Sequence, residues 1–526
     1  MTGPRRGGAV DRPGPLARRL GVDARALAAL RIALGSLLLA DLAMRARDLT
    51  AFYTDAGVLP RAVHAETYPV LASLSVHARV GSPRAQALLF GLSAAFALCV
   101  LVGYRTRIAA VGAWVLTASL YARNPYVVNG GDTILLAAFF FCLFCPLSAR
   151  WSIDARRRRR SLQPTRAEPS SAGPLLRTPA TAALLGVVVL VYASNAMLRL
   201  RSDRWRAGEA VRLVFELDQY TVLLGPAVAN LDPRLFVVAN YVWVGLLCSS
   251  VFLLALTGRR RAVLVVPYVG VHLTMLATLR TGLFPLAMVA LLLAFLPPPC
   301  WDQFERRVAN PTRGWLRAHR PFSFGRSVRH LSQIVVAVDR SIRTAIEAVT
   351  GRIGPIGRAV PIPRLAPDTS RRRTLATVVV VVAYVGLVGW QAVVVADADL
   401  AVGDLDPGDH GWAMFAPNPP ETVGWYVAPA EFESGERVDA FGGGAVCWDR
   451  PPDAAESYPT VLWHRYLTDL RSASEAEYAA FGSYLCEAAR AAGEAVVSLE
   501  IHYVAQSVAL DGETGPEADQ RYATAC

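Results

Sequence analysis

Nine stretches of the chain are almost continuously apolar: 26–44, 86–104, 108–123, 133–149, 178–198, 235–257, 262–279, 282–298 and 374–396. A helix needs about 20 such residues to cross the hydrocarbon core of a bilayer. These stretches therefore read as membrane spans, with 108–123 and 282–298 short enough to require a kink or shielding by neighbours. An odd number of spans puts the two termini on opposite sides. After residue 396 the pattern changes. Ser474 and Glu477 form an S-x-x-E capping box that opens a helix to about Ala492. Val497, Leu499, Ile501 and Tyr503 alternate with polar residues, as in a half-buried strand. Segments 423–430 and 436–447 read as a hairpin around Ser434-Gly435. The fold class that follows is an all-α polytopic membrane bundle of about nine spans with a small α/β extramembrane C-terminal domain.

Composition agrees. The chain has 526 residues, 53% of them hydrophobic and 18% charged, with a mean hydropathy of +0.33, whereas a soluble protein carries about 25% charged residues. The net charge of +12 hides a division: residues 397–526 hold 23 acidic residues against 6 Arg, a balance of −17, and residues 1–396 hold 48 basic against 19 acidic, a balance of +29. Such asymmetry marks two environments and argues against nucleic acid as a partner. All 54 basic residues are Arg, which rules out a lysine Schiff base or lysine general base and, with the acidic C-terminal part, suggests a halophilic prokaryote.

Arginine placement sets the expected orientation. The Arg-rich tail 1–24, Arg105 and Arg107, the runs Arg156–Arg160 and Arg259–Arg261, and the stretch 299–373 all fall on one side, the cytoplasmic one. The tail carries twin arginines but no convincing cleavage site, and reads as uncleaved. Residues 156–178 are a flexible linker, and 331–350 an amphipathic helix lying on the membrane surface. The expected domains are the tail 1–24, a bundle 25–298, a linker 299–373, a last span 374–396 and an acidic extracellular domain 397–526, in a multi-pass protein of the cell membrane.

Candidate chemistry lies in ionisable groups within or beside the spans, where an unpaired charge is expensive. Arg31 and Asp41 sit inside the first apolar stretch. Arg31 can snorkel, and Asp41 precedes Arg45 by four residues, a spacing that permits an ion pair. Asp55 belongs to the turn Tyr53–Arg61. Asn129 and Asp132 precede the fourth stretch, where Asp132 serves either as an N-cap or as a site residue. Arg199 and Trp205 follow the fifth. His272 lies mid-span beside Pro267 and Gly270, and serves either as a neutral interhelical hydrogen-bonding group or as a proton carrier. The His spacing supports no metal, and nucleotide-binding and nucleophile-elbow motifs are missing. Of the cysteines, Cys447 and Cys486 are candidates for a disulfide, with Cys526 able to compete for either.

Five motifs in order carry a resemblance: R-I-A-L-G-S-L-L-L-A-D-L at 31–42, F-Y-T-D-A-G-V-L-P-R at 52–61, N-P-Y-V-V-N-G-G-D at 124–132, W-S-I-D at 151–154 and W-R-A-G-E-A at 205–210. On these, residues 22–300 resemble the HTTM domain family, the membrane domain shared with vitamin K-dependent γ-carboxylases. The run W-A-M-F-A-P-N-P at 412–419 resembles the segment after the last span in prokaryotic members. The resemblance implies spans followed by an outward-facing domain, and in the enzymes a reduced quinone and oxygen that generate a strong base for carboxylating glutamate. The family's catalytic lysine falls just before Trp205, where this chain has Arg199 and Arg201, and its catalytic histidine matches Gly131. The expected function is binding of a quinone or lipid-like ligand in an intramembrane polar cleft. Arg31, Asp41, Asp55, Asn129, Arg199 and Trp205 are expected to line the cleft, and His272 and Asp132 to move protons. A quinol-dependent carboxylase or lyase with another base, and a non-catalytic assembly or transport component whose C-terminal domain holds a protein partner, are the alternatives.

Overall fold

Local signals start and stop the helices near the edges of the apolar stretches. In the computed structural model, which describes residues 14–161, 175–318, 369–398, 412–451, 458–491, 495–509, 512–513 and 515–526, the first long helix, α1 (Ala24–Arg47), is capped by the Asp23 carboxylate on the Arg25 amide at 2.8 Å. Ser82 caps α2 (Pro83–Val102), which ends on Gly103 in the left-handed region at φ 69°. Next come α3 (Thr106–Arg123), α4 (Gly130–Cys142) and α5 (Pro179–Arg201), the last begun by a Thr178 cap and a proline in its first turn. Then follow α6 (Pro233–Ser249), α7 (Gly258–Thr278), α8 (Phe284–Leu292) and α9 (Thr369–Ala396).

Each of the nine apolar stretches falls on one of these helices, but the expected count of nine spans is not matched. Among the described residues, five helices are long and apolar enough to cross a membrane: α1, α2, α5, α7 and α9. α4 has 13 residues and α8 only 9 before a 3₁₀ turn at Leu293–Phe295, about 20 Å and 14 Å at the helical rise. α8 survives its shortness because it is interior, packed on α1, α4 and α7. The outer faces of the bundle carry exposed apolar side chains, as at Val237 and Val238 of α6 and Val263 and Val266 of α7. α1 and α2 touch closely: a Cβ added at Gly35 would lie 2.6 Å from the Leu101 amide nitrogen, so only glycine fits there.

The C-terminal domain is a mixed α/β unit. The strands are β1 (Thr422–Val427), β2 (Pro429–Phe432), β3 (Arg437–Asp439), β4 (Val496–Ala509) and β5 (Glu517–Ala525). β4 is the central strand, antiparallel to β1 and β2 on one side and to β5 on the other. The helices are α10 (Val461–Leu470), capped by Thr460, and α11 (Glu475–Ala491), opened by Ser474 and Glu477. The hairpin expected around Ser434-Gly435 is present, with β2 antiparallel to β3 from Pro429↔Asp439 to Glu431↔Arg437, but its first strand is shorter than 423–430, because β1 pairs with β4 instead. The expected Cys447–Cys486 bridge is also corrected. Cys486 is bonded to Cys526, which follows β5 directly, and Cys447 is a free, exposed thiol.

The chain divides into two compact units, Met1–Pro298 with Thr377–Cys526, and Pro299–Ala376. In the first, bundle and C-terminal domain share one core. Phe52 packs on Trp463 and Tyr466 with ring centroids 4.9 and 5.6 Å apart, and Tyr126 meets Tyr466 at 5.5 Å. The segment 49–59 after α1 is thus the seat for α10. The second unit is described at its ends, by the helix Pro298–Ala318 and the first turns of α9; the expected amphipathic helix 331–350 lies outside the described residues.

Candidate functional site

The site starts at the end of α1. Four residues apart on one helical face, Asp41 and Arg45 form a pair in which Arg45 Nε donates to both carboxylate oxygens at 2.9 and 3.0 Å. The rest of the guanidinium donates to the Tyr53 hydroxyl at 2.8 Å and to Asp132 Oδ2, also at 2.8 Å. Asp132 is in place because Asn129 and Asp132 form the capping box of α4. Arg465 reaches in from α10 and donates to the same Asp132 oxygen at 2.7 Å and to the Val127 carbonyl at 2.9 Å. The Tyr121 hydroxyl donates to Asp41 at 3.2 Å, and the Arg45 guanidinium lies over the Tyr121 ring at 4.6 Å. Two carboxylates and two guanidinium groups cancel formally. All four residues are buried, so the network stands only while each charge keeps its partners.

Beside this network lies a polar cavity of about 440 Å³, bounded by Asn129, Thr133, Tyr220, Arg280, Thr281 and the α10 residues His464 and Arg465. Three buried polar atoms on its wall, Thr281 Oγ1, His464 Nε2 and Arg465 Nη2, have no hydrogen-bond partner among the described residues. Such orphaned groups are uncommon and call for an explanation. Burial, with Arg280 and Arg465 adding to it, lowers the His464 imidazole to about 3, so it is neutral near pH 7. Burial pushes the Tyr220 phenol up to about 12.

A second, apolar chamber of about 230 Å³ lies between α5, α6 and α7, walled by Tyr192, Trp243, Leu247, Met275 and Phe284, with Arg199 and Trp205 at its edge. Met414 and Phe415 line both cavities and form the partition between them. A groove of about 430 Å³ between α3, α4 and α9 shares Trp412 with the chamber and Thr133 with the polar cavity. The segment 412–418 thus separates three spaces. It is tied by Asn195 Nδ2 to the Trp412 carbonyl at 3.0 Å, Arg199 to the Met414 carbonyl, Trp205 Nε1 to the Phe415 carbonyl at 3.0 Å, and the Ser202 hydroxyl to the Asn418 side chain. Arg199 also donates to Asn195 and stacks on Trp205 at 4.5 Å.

Of the residues singled out from sequence, Asp41, Asn129 and Asp132 meet in the ion network and on the wall of the polar cavity. Arg199 and Trp205 meet at the apolar chamber. His272 sits one layer behind that chamber, its Nε2 2.9 Å from the Tyr192 hydroxyl and its ring against Trp243 and Phe284. Arg31 and Asp55 are elsewhere. Arg31 donates to the carbonyls of Val100, Leu101 and Trp151, closing the end of α2. Asp55 pairs with Arg61 at 2.7 Å on the surface, and the Arg61 hydrogen bonds hold its carboxyl below the usual range. This separates Arg31 and Asp55 from the shared cleft in which they were expected. Arg465, His464, Thr281 and the partition residues escaped the sequence reading. The Trp412–Pro419 run was visible as a motif, but α10 carries no local signal beyond a Thr460 cap and an amphipathic pattern. No group of three His, Cys, Asp or Glu side chains suited to a metal ion occurs among the described residues.

The comparisons narrow the reading. The model of the HTTM domain matches residues 20–301. No match was found among curated proteins or among solved structures. The matched stretch covers more than half of the chain and contains α1 to α8, together with the ion network's Asp41, Arg45 and Asp132 and most of the apolar chamber. The chain is therefore a membrane protein that belongs to the HTTM domain family.

Proposed function

We propose that this protein binds an amphipathic, lipid-like molecule, with a quinone as the leading candidate, its apolar part in the chamber between α5, α6 and α7 and its polar head reaching the cavity under α10 when the flexible Met414 side chain moves aside. The observation that carries this reading is the common wall: Met414 and Phe415 border an apolar space on one face and a polar space on the other. Ligand sites combine largely apolar linings with a few convergent polar groups in about 300–1,000 Å³, and the two spaces together fall in that range. A ligand oxygen in the polar cavity would give Arg465 Nη2 and the Thr281 hydroxyl the acceptor they lack, while neutral His464 can donate or accept.

The residues fit a quinone: aromatic walls from Tyr192, Trp243 and Phe284 suit a flat ring, and Arg199 Nε is a further buried donor with no partner among the described residues. A bound reduced quinone would supply electrons. This chain's own part is to hold the ring and to donate hydrogen bonds to its oxygens. The resemblance puts the carboxylases' lysine at Arg199 or Arg201; Arg199, bonded to Asn195 and Met414, acts as a positioning donor, and glutamate carboxylation by a lysine base is not part of this proposal. We further propose, from the arginine distribution, a cytoplasmic N-terminal tail and a C-terminal domain on the outer side.

The test is mass spectrometry of small molecules retained by the purified protein, native and Ala239→Trp. Ala239 lines the chamber at its exposed side, so an indole there fills the mouth without cutting a buried contact. The native protein is expected to retain a lipid-like molecule that the variant loses at unchanged melting temperature. Native protein without such a molecule, or equal retention by the variant, overturns the reading.

A further inference from the structure

A second site lies at the far end of α3. One end of that helix leads to Tyr126, which packs on Tyr466 of the C-terminal domain. The helix is 18 residues long, about 27 Å at the helical rise, with Thr106 at its other end. There a cavity of about 770 Å³ opens between the first turn of α3, the segment after α4 and the helix Ile153–Ser161. Its rim is cationic, with Arg105, Arg107 and Arg158. The acidic group in its wall is Asp154, and both carboxylate oxygens are committed to capping α3: one accepts the Arg105 amide at 3.0 Å, the other the Thr106 amide at 2.9 Å and hydroxyl at 2.7 Å. Arg158 donates to the Ser148 carbonyl at 2.6 Å and to the Ser148 hydroxyl at 3.4 Å, two of the five donors of a guanidinium. Arg156, Arg157, Arg159 and Arg160 add positive charge on the adjoining helix.

The floor is apolar, formed by Ile108, Leu143 and Leu147. Ile108 is 64% exposed and begins a stripe that continues up α3 through Val111 and Val115, both also exposed. Positions i, i+3 and i+7 share one helical face. A soluble anion would use the rim and leave the stripe bare; a neutral lipid would use the stripe and bring no charge to Arg107 and Arg158. We infer that this groove binds the phosphate headgroup of an anionic phospholipid, with an acyl chain laid along Ile108, Val111 and Val115. This site is independent of the chamber between α5, α6 and α7, and stands or falls separately from the reading given for that chamber.

The test is native mass spectrometry of the full-length protein in neutral detergent, titrated with phosphatidylglycerol, with phosphatidylcholine and with inorganic phosphate. Phosphatidylglycerol is expected to bind in preference to phosphatidylcholine, and millimolar phosphate to displace it poorly. An arginine near an anionic headgroup contributes about 5-fold in affinity. Arg107→Gln should therefore weaken phosphatidylglycerol about 5-fold, and Arg105→Asn with Arg107→Gln and Arg158→Gln about 100-fold, while Ala239→Trp leaves it unchanged. Asn is chosen at 105 because that residue has φ 43°, a region Asn tolerates. Equal binding of the two lipids, unchanged binding by both arginine variants, or phosphate competing as well as the lipid would overturn the inference.

Discussion

Replacing Arg465 by Met tests the charge network directly. The substitution removes Arg465 Nη1 from Asp132 at 2.7 Å and from the Val127 carbonyl at 2.9 Å. It leaves two buried carboxylates facing one guanidinium. Breaking a buried pair from one side costs about 3–5 kcal/mol. Here Asp132 keeps Arg45 at 2.8 Å and the Asn129 amide at 3.1 Å, so the loss falls at or just below the foot of that scale, about 2–3 kcal/mol, or a fall in melting temperature of about 4–12 °C at 2–4 °C per kcal/mol. Asp132→Asn alone should cost a similar amount, because it leaves two guanidinium groups facing Asp41. The double variant restores a one-to-one balance between Arg45 and Asp41. It should melt no lower than the worse single variant, giving a coupling of about 2 kcal/mol in a double-mutant cycle. Melting in detergent followed by tryptophan fluorescence reads this out, since Trp463 and Trp425 lie in the C-terminal domain. Shifts that simply add, or a loss below 1 °C for Arg465→Met, would refute the view that these four side chains act as one unit.

Further outcomes follow from the same geometry. His464 is held neutral, with its imidazole lowered to about 3 against an ordinary 6.5; the folded state therefore loses stability as pH falls from about 6.5 toward 3, by about 2 kcal/mol at pH 5, and His464→Gln should flatten that part of the pH–stability curve. The Cys486–Cys526 bridge closes a loop with a sequence separation of 40, which in the chain-entropy account stabilises by about 4 kcal/mol; Cys486→Ser should lower the melting point sharply while Cys447→Ser does not, and peptide mapping without reductant should recover the 486–526 linkage. Asp55→Asn breaks a pair that is about two-fifths exposed on both sides and should cost less than about 1 kcal/mol, measured by the same melts. Asn129→Ala removes the α4 cap and should cost about 1 kcal/mol.

Helix positions were legible because an apolar run announces itself whatever surrounds it. Helix ends were less so. The run at 133–149 stays apolar past Cys142, where the helix stops and turns toward Pro146, and hydropathy does not separate helix from turn when every residue is apolar. The Asp41–Arg45 pair was legible from its spacing. The second half of the network was not, because Asp132 and Arg465 are 333 residues apart, and only the seating of α10 on Phe52 and Tyr126 brings them together. For the same reason the pattern over 423–447 shows the turn at Ser434-Gly435 but not the pairing of β1 with β4, some 80 residues on. Cys486 likewise bonds whichever cysteine the sheet delivers, and β5 delivers Cys526. Arg31 misled because a buried guanidinium whose terminal nitrogens are held by three carbonyls looks in sequence like one awaiting a ligand.

The ties that fasten 412–418 have an uneven chemistry. Three of the four end on main-chain oxygens of Trp412, Met414 and Phe415, which every amino acid supplies, while the donors at Asn195, Arg199 and Trp205 are specific side chains. Evolution can therefore recarve the divider by exchanging the residues at 414 and 415, altering what each compartment admits, without loosening its moorings. The clamp on α5 and just after it has no such latitude, so drift in ligand preference should accumulate on one partner of this contact while the other is held fixed.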